Sequence, residues 1–70
     1  MKIQIIAHTP VGTFFSGISE CDEKEYENIL NLYANIDSVN YFRFKNVDEN
    51  IITLPGNLCK NSVIEIINIQ

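Results

Sequence analysis

The sequence predicts a small α+β domain in which one helix packs on one face of a mainly antiparallel sheet. Residues 22–34 repeat apolar side chains at helical spacing, whereas five other segments show the alternation or the short apolar runs of strands. Clusters of Pro, Gly, Asn and Asp separate these segments. The predicted element order is β-β-α-β-β-β, and a chain of 70 residues is expected to form one domain, residues 1–70.

The helix has the strongest local signal in the chain. Four residues at positions i, i+3, i+4 and i+7 share one of its faces: Tyr26, Ile29, Leu30 and Tyr33. Asp22 and Glu25 have the spacing of a capping box, and an acidic first turn suits the positive end of the helix dipole. Asn35 is expected to stop the helix, because asparagine tolerates the left-handed conformation.

Two strands are predicted before the helix and three after it. The predicted strands are residues 2–8, 13–19, 39–45, 51–54 and 62–69. The first two form a hairpin through a turn at 9–12, and Gly17 indicates a bulge or a close approach of the helix. A single helical turn at 57–61 is expected to place Leu58 or Cys59 on the core.

The strand at 39–45 interleaves aromatic and cationic residues. Alternation predicts that Phe42 and Phe44 face the core while Tyr41, Arg43 and Lys45 face away from it. Only Tyr41 then stands beside the cations, whereas a surface that stacks bases needs several exposed aromatics together with positive charge. The segment therefore does not predict nucleic-acid binding.

Apolar residues occupy both faces of three predicted strands. In the first strand, for example, Ile3 and Ile5 lie on one face and Ile6 on the other. One helix of about four turns cannot cover both faces of a five-stranded sheet, and monomers seldom expose a contiguous apolar patch of more than several hundred Å². Either the sheet curls into a small barrel or another chain covers it. The sequence favours a second chain, in a homodimer or a complex with a host protein.

Charge, composition and residue types disfavour several other classes of protein. The formal net charge of −4 and a pI near 4.6 oppose binding to nucleic acid or to an anionic membrane. No apolar run approaches the roughly 18 residues of a membrane-spanning helix, and the first residues lack a cleavage signal, so a cytoplasmic protein is expected.

His8, Cys21 and Cys59 lack the paired spacing of a metal site, and few polar groups converge. We therefore expect no metal, no cofactor and no enzymatic activity.

Two segments of the sequence resemble known families. Residues 9–17, Thr-Pro-Val-Gly-Thr-Phe-Phe-Ser-Gly, resemble the first hairpin of the ATP synthase epsilon subunit, although a helix follows where that family continues with a β-sandwich. The second resemblance is to small accessory proteins of tailed phages, including phages of marine cyanobacteria. It is carried by the order strand, acidic helix and strand and by the ending at residues 52–66. The second resemblance implies an accessory protein made during infection and supplies no site residues.

The sequence therefore predicts a non-enzymatic module that binds another protein through its acidic helix or an uncovered sheet face. The candidate partner-binding residues are Glu23, Tyr26 or Tyr33, and Glu27 on the helix, and Phe15 and Ile67 on the sheet. The alternative is a homo-oligomer that binds or sequesters a nucleotide or another metabolite. In that case Arg43, Lys45 and Lys60 are the expected contacts to an anion.

Overall fold

The computed structural model describes residues 1–35 and 40–69 and confirms a mainly antiparallel α+β fold. The elements are β1 (Lys2–Thr9), β2 (Gly12–Phe15), β3 (Ser19–Glu20), α1 (Glu23–Ala34), β4 (Tyr41–Lys45), β5 (Ile51–Pro55), α2 (Gly56–Cys59) and β6 (Val63–Ile69). The predicted second strand is divided into β2 and β3, and the predicted helical turn forms α2. Val39, which we predicted to begin a strand, lies outside the described residues.

The larger sheet is built around β1. Strands β2 and β3 pair with one side of β1 and β6 pairs with the other, all antiparallel. Ile6 is in register with Phe15 and Ile3 with Ser19, so three residues, 16–18, lie opposite only two residues of β1. This extra residue is a β-bulge, as the sequence predicted.

The bulge joins the larger sheet to a second, two-stranded sheet made of β4 and β5. Ser16 forms an isolated antiparallel bridge with Asn46, and the Gly17 N–H donates to the Lys45 carbonyl at 3.0 Å. A Cβ placed on Gly17 would lie 3.5 Å from the Asn46 carbonyl oxygen. The element close to Gly17 is therefore the loop after β4 and not the helix, so of the two alternatives predicted for Gly17 the bulge is the one that forms.

The core lies between the two sheets and α2. Its buried members are Ala7, Phe42, Phe44, Leu54 and Cys59. The structure confirms that Phe42 and Phe44 face the core, while Tyr41, Arg43 and Lys45 are exposed. Of the two candidates after β5, Cys59 is fully buried at 1% exposure, and Leu58 packs beside the core as a partly buried residue.

Helix α1 begins as the sequence predicted. Asp22 is the N-cap and forms a complete capping box with Glu25. The helix ends at Asn35 as predicted, but Asn35 has φ −117° and ψ 27°, outside the expected left-handed region. The Asn35 amide side chain instead donates to the Asn31 carbonyl at 3.0 Å.

Helix α1 covers the core less completely than its apolar face suggested. The Tyr33 ring meets Phe42 edge-on, with centroids 5.1 Å apart and planes at 74°. No residue of the helix is fully buried; Tyr26 and Ile29 are half-buried and Leu30 is exposed. Leu30 is therefore not part of the packed face that the spacing predicted. The helix is anchored mainly at its C-terminal turn, by an aromatic contact.

Candidate functional site

The side of the larger sheet that faces away from the core carries five apolar residues interspersed with polar ones. Ala7 lies in the core, so alternate residues of β1 point to the opposite side, and residues in register with them share that side. We call the apolar members of this side the outer patch: Ile6, Phe15, Val63, Ile67 and Ile69. Ile6 lies opposite Phe15 on β2, and Gln4 opposite Ile67 on β6.

Exposure varies across the outer patch. Ile6, in the central strand, is only 8% exposed, whereas Phe15 is 49% exposed and Val63 is 67% exposed. Ile67 and Ile69 are half-buried. An aromatic residue thus stands half in solvent beside a nearly buried aliphatic residue, which is the arrangement of an anchor at the centre of a protein interface.

Polar residues lie between the members of the outer patch: Gln4 and His8 flank Ile6 on the same face of β1, and Glu65 is opposite Ile6 on β6. His8 Nε2 and Glu65 Oε1 are 2.9 Å apart across β1 and β6, with about half of each side chain exposed, and the pair is ionic when the imidazole is protonated. Gln4 Nε2 donates to the Ser16 carbonyl at 2.9 Å. These polar side chains surround Ile6, which is 8% exposed, so the accessible apolar residues are Phe15 and Val63 on the flanking strands.

The structure separates the sequence-predicted partner-binding residues into two surfaces. Phe15 and Ile67 lie together on the outer patch, whereas Glu23, Tyr26 and Glu27 lie on α1. Glu23 and Glu27 are exposed and Tyr26 is half-buried. Within residues 1–35 and 40–69, no hydrogen bond or ion pair links the two surfaces. They are therefore separate candidates for docking.

Sequence reasoning missed two residues of this region. Val63, the most exposed member of the outer patch, is the first residue of β6 and was not among the predicted partner-binding residues. Ser16 is the one buried polar residue of the described chain, and its hydroxyl both accepts from the Ile5 N–H and donates to the Gly17 carbonyl, each at 2.8 Å. No local sequence signal marks a serine with this role.

The candidate anion contacts form no enclosed site. The Arg43 guanidinium lies 5.1 Å from the centre of the Tyr41 ring, and its Nε donates to Thr53 Oγ1 at 3.3 Å. Lys45 borders an open groove of about 370 Å³ beside the bulge. Lys60 is the C-cap residue of α2, which begins directly after Pro55 at the end of β5, whereas Lys45 lies beside the start of that strand. Arg43 is thus already engaged by neighbouring side chains.

A second open groove, of about 560 Å³, lies at the end of the larger sheet. Its walls are formed by Met1, Lys2, Glu20, Asn68 and Ile69. Ligand pockets bury most of a small molecule and have convergent polar groups, which neither open groove provides.

The buried ionisable groups are held in their neutral forms. Burial raises the pKa of the Tyr33 hydroxyl above its usual range. Burial also raises the pKa of the Cys59 thiol, and a backbone hydrogen bond offsets part of that rise. A nucleophilic cysteine needs the opposite shift, toward the thiolate. Both cysteines are free thiols, and the described residues contain no group of three side chains able to hold a metal ion.

No protein-family model, curated protein or solved structure matches this chain. Among residues 1–35 and 40–69, no helix is long and apolar enough to cross a membrane.

Proposed function

We propose that this chain is a non-enzymatic protein-interaction module that binds another protein through the outer patch. The observation that carries the proposal is the half-exposed Phe15 ring beside the nearly buried Ile6, in register across β1 and β2. A partner side chain seated on Phe15 would remove aromatic surface from water without a large entropy loss, since the ring has only two rotatable side-chain bonds. Few interface residues carry most binding energy, so one such anchor is sufficient to define a site.

Charge indicates the chemistry of the partner. The chain has a formal net charge of −4, and Glu23 and Glu27 extend the acidic surface along α1. A partner with an apolar contact surface and a basic border is attracted over a distance comparable to the Debye length and then docks on the outer patch. The setting we propose is the host cytoplasm during phage infection, which rests on the sequence resemblance alone.

A photo-cross-linking amino acid placed at Phe15 tests the docking site. The matched control places the same amino acid at Val11, which is more exposed but belongs to the hairpin turn and not to the outer patch. We expect one discrete cross-linked product from position 15 in cell extract, absent from position 11, and identified by mass spectrometry. Equal labelling from both positions, or none from position 15, would contradict the proposal.

Charge reversal separates the contribution of the helix from that of the outer patch. Glu23→Lys with Glu27→Lys should lower the association rate of the captured partner and flatten its salt dependence if the acidic surface steers docking. Phe15→Ala should instead raise the dissociation rate, by about tenfold or more for an anchor residue. Surface plasmon resonance with the isolated partner measures both rates. An unchanged dissociation rate in Phe15→Ala would remove the outer patch from the interface.

The alternative function, binding of a nucleotide or another small metabolite, has less geometric support. Both grooves are open, and Arg43 is held by Tyr41 and Thr53. A ligand that binds the folded chain raises its melting temperature according to its concentration and affinity. We expect nucleotides at millimolar concentration to leave the melting temperature unchanged. A concentration-dependent rise would instead establish small-molecule binding.

A further inference from the structure

Strand β6 is an edge of the larger sheet. It pairs with β1 over Val63–Ile69, and within residues 1–35 and 40–69 no other backbone group bonds to it. It is seven residues long, compared with four in β2 and five in β5. An unpaired edge presents a row of N–H and C=O groups that can extend the sheet with a strand from another chain.

The hydrogen-bonding pattern shows which groups of β6 face outward. The Ser16 N–H donates to the Ile5 carbonyl, and the Ile5 N–H donates to Ser16 Oγ, so the backbone groups of Ile5 point toward β2. In an antiparallel pair these directions alternate along the strand. Ile66, in register with Ile5, therefore turns its own N–H and C=O away from β1. The same holds for Ile64 and Asn68.

Strand β6 lacks the sequence features that usually keep an edge strand from pairing with another chain. Residues 63–69 contain no proline, no lysine and no bulge relative to β1, whereas β5 ends in Pro55. The single charged residue of β6 is Glu65, and its carboxylate is drawn back over the sheet by His8 at 2.9 Å. The edge of β6 is thus long, mostly apolar and free of a charge directed along it.

We propose that β6 pairs antiparallel with β6 of a second copy of this chain, about a two-fold axis at Ile66. This interaction goes beyond the proposed function, because it uses backbone groups at the sheet edge and not the outer patch. An antiparallel edge is self-complementary: Ile66 faces Ile66 of the other copy, and Ile64 faces Asn68. The next register toward the start of β6 would place the two Glu65 carboxylates directly opposite each other, which is unfavourable.

The proposed pairing creates one sheet that spans both copies. Residues in register lie on the same side of an antiparallel pair, so Val63 of each copy comes beside Ile69 of the other. The two outer patches then form one continuous surface. Because a single pair of strands buries less area than a standard interface, we expect weak association, with a dissociation constant of about 10 μM to 1 mM.

Hydrogen exchange tests the pairing without altering the chain. In a monomer the amides of Glu65 and Ile67 are bonded to β1 and exchange slowly, whereas those of Ile64, Ile66 and Asn68 face solvent and exchange fast. We expect protection of the second group to rise as the protein concentration increases from about 20 μM to about 1 mM, across the expected dissociation constant. Sedimentation over the same range should show the mass moving toward that of a dimer.

A proline variant tests the same edge independently. Asn68→Pro removes an N–H that faces outward and leaves the β1 ladder intact, whereas the control Asn68→Ala retains that N–H. The symmetric pair loses two backbone hydrogen bonds, so we expect dimerisation to weaken about thirty-fold in Asn68→Pro only. A slow-exchanging Ile67 amide would confirm that the variant is folded.

Two results would overturn the proposal, and neither depends on the proline variant folding. The first is a wild-type chain that remains monomeric at about 1 mM, the upper end of the expected dissociation constant. The second is a dimer in which the amides of Ile64 and Ile66 still exchange fast. If such a dimer, with fast-exchanging amides in β6, is lost in Phe15→Ala, the two copies associate through the outer patch instead. Failure of the edge pairing would leave the proposed function of the outer patch intact.

Discussion

Replacing Ser16 with alanine should destabilise the fold more than its small size suggests. Ser16 is 5% exposed, and its Oγ accepts from the Ile5 N–H and donates to the Gly17 carbonyl, each at 2.8 Å. The hydroxyl thus takes the position in the β1 ladder that a backbone carbonyl would occupy in a regular pair. Alanine leaves the Ile5 N–H without a partner at the point where the two sheets meet.

The size of the effect follows from the two contacts that are lost. An unsatisfied buried donor costs about 1–3 kcal/mol, and the second hydrogen bond contributes about 1 kcal/mol. We therefore expect Ser16→Ala to lower the free energy of unfolding by about 2–4 kcal/mol. A chain of this length has a total of roughly 4–10 kcal/mol, so the loss is a large part of its stability. The melting temperature should fall by about 8–30 °C.

Urea unfolding followed by circular dichroism measures the change. Ser19→Ala is the matched control, because Ser19 is an exposed serine in the same sheet and should change the free energy by less than about 0.5 kcal/mol. Hydrogen exchange at the Ile5 amide should accelerate in Ser16→Ala and not in the control. A loss below about 0.5 kcal/mol in Ser16→Ala would refute the assignment of Ser16 as a substitute ladder partner.

Three further predictions concern the helix and the buried ionisable groups. Asp22→Ala should cost about 1 kcal/mol in urea unfolding, because it removes the acceptor of the Glu25 N–H at 2.8 Å; an unchanged midpoint would contradict the capping role. The stability that Cys59 and Tyr33 contribute by staying protonated should be complete below about pH 8 and be lost as the pH rises, because the unfolded state releases the thiol and phenol protons at a lower pH than the folded state does. Tyr33→Phe should reduce this loss above about pH 10. A thiol reagent at neutral pH should label Cys21 rapidly and Cys59 only at the rate of unfolding, and equally fast labelling of both would show that the core opens easily.

Local sequence signals predicted the parts of the fold that depend on neighbours in the chain. The capping box needs only Asp22 and Glu25, three residues apart, and it forms as expected. The burial of Phe42 and Phe44 follows from strict alternation in one strand. Alternation also placed Phe15 and Ile67 on the sheet face away from the core, although it could not show that they lie on opposite sides of β1, Phe15 opposite Ile6 and Ile67 opposite Gln4.

The features that the sequence did not predict depend on long-range contacts. Ser16 is buried because Asn46, thirty residues later, forms a bridge with it, and serine has no local preference for such a joint. Leu30 has the helical spacing of a packed residue but remains exposed, since α1 meets the core mainly through Tyr33 and Phe42. The backbone conformation at the end of α1 differs from the expected left-handed one for a local reason. The Asn35 side chain bonds back to Asn31, which satisfies a helix carbonyl without a left-handed residue.

The excess of apolar surface in the strands is explained by the position of β1. This strand has partners on both of its edges and an apolar face toward the core, so Ile6 on its other face is almost buried by its neighbours in the same sheet. Phe15 and Val63 are in the strands that flank β1 and have a neighbouring strand on one side only, so their side chains remain accessible to solvent. On the outer side of the larger sheet, the most accessible apolar residues are therefore in the strands that flank β1. Binding through Phe15 and pairing through β6 use different parts of this surface, one made of side chains and one of backbone groups, and a single copy can engage in both.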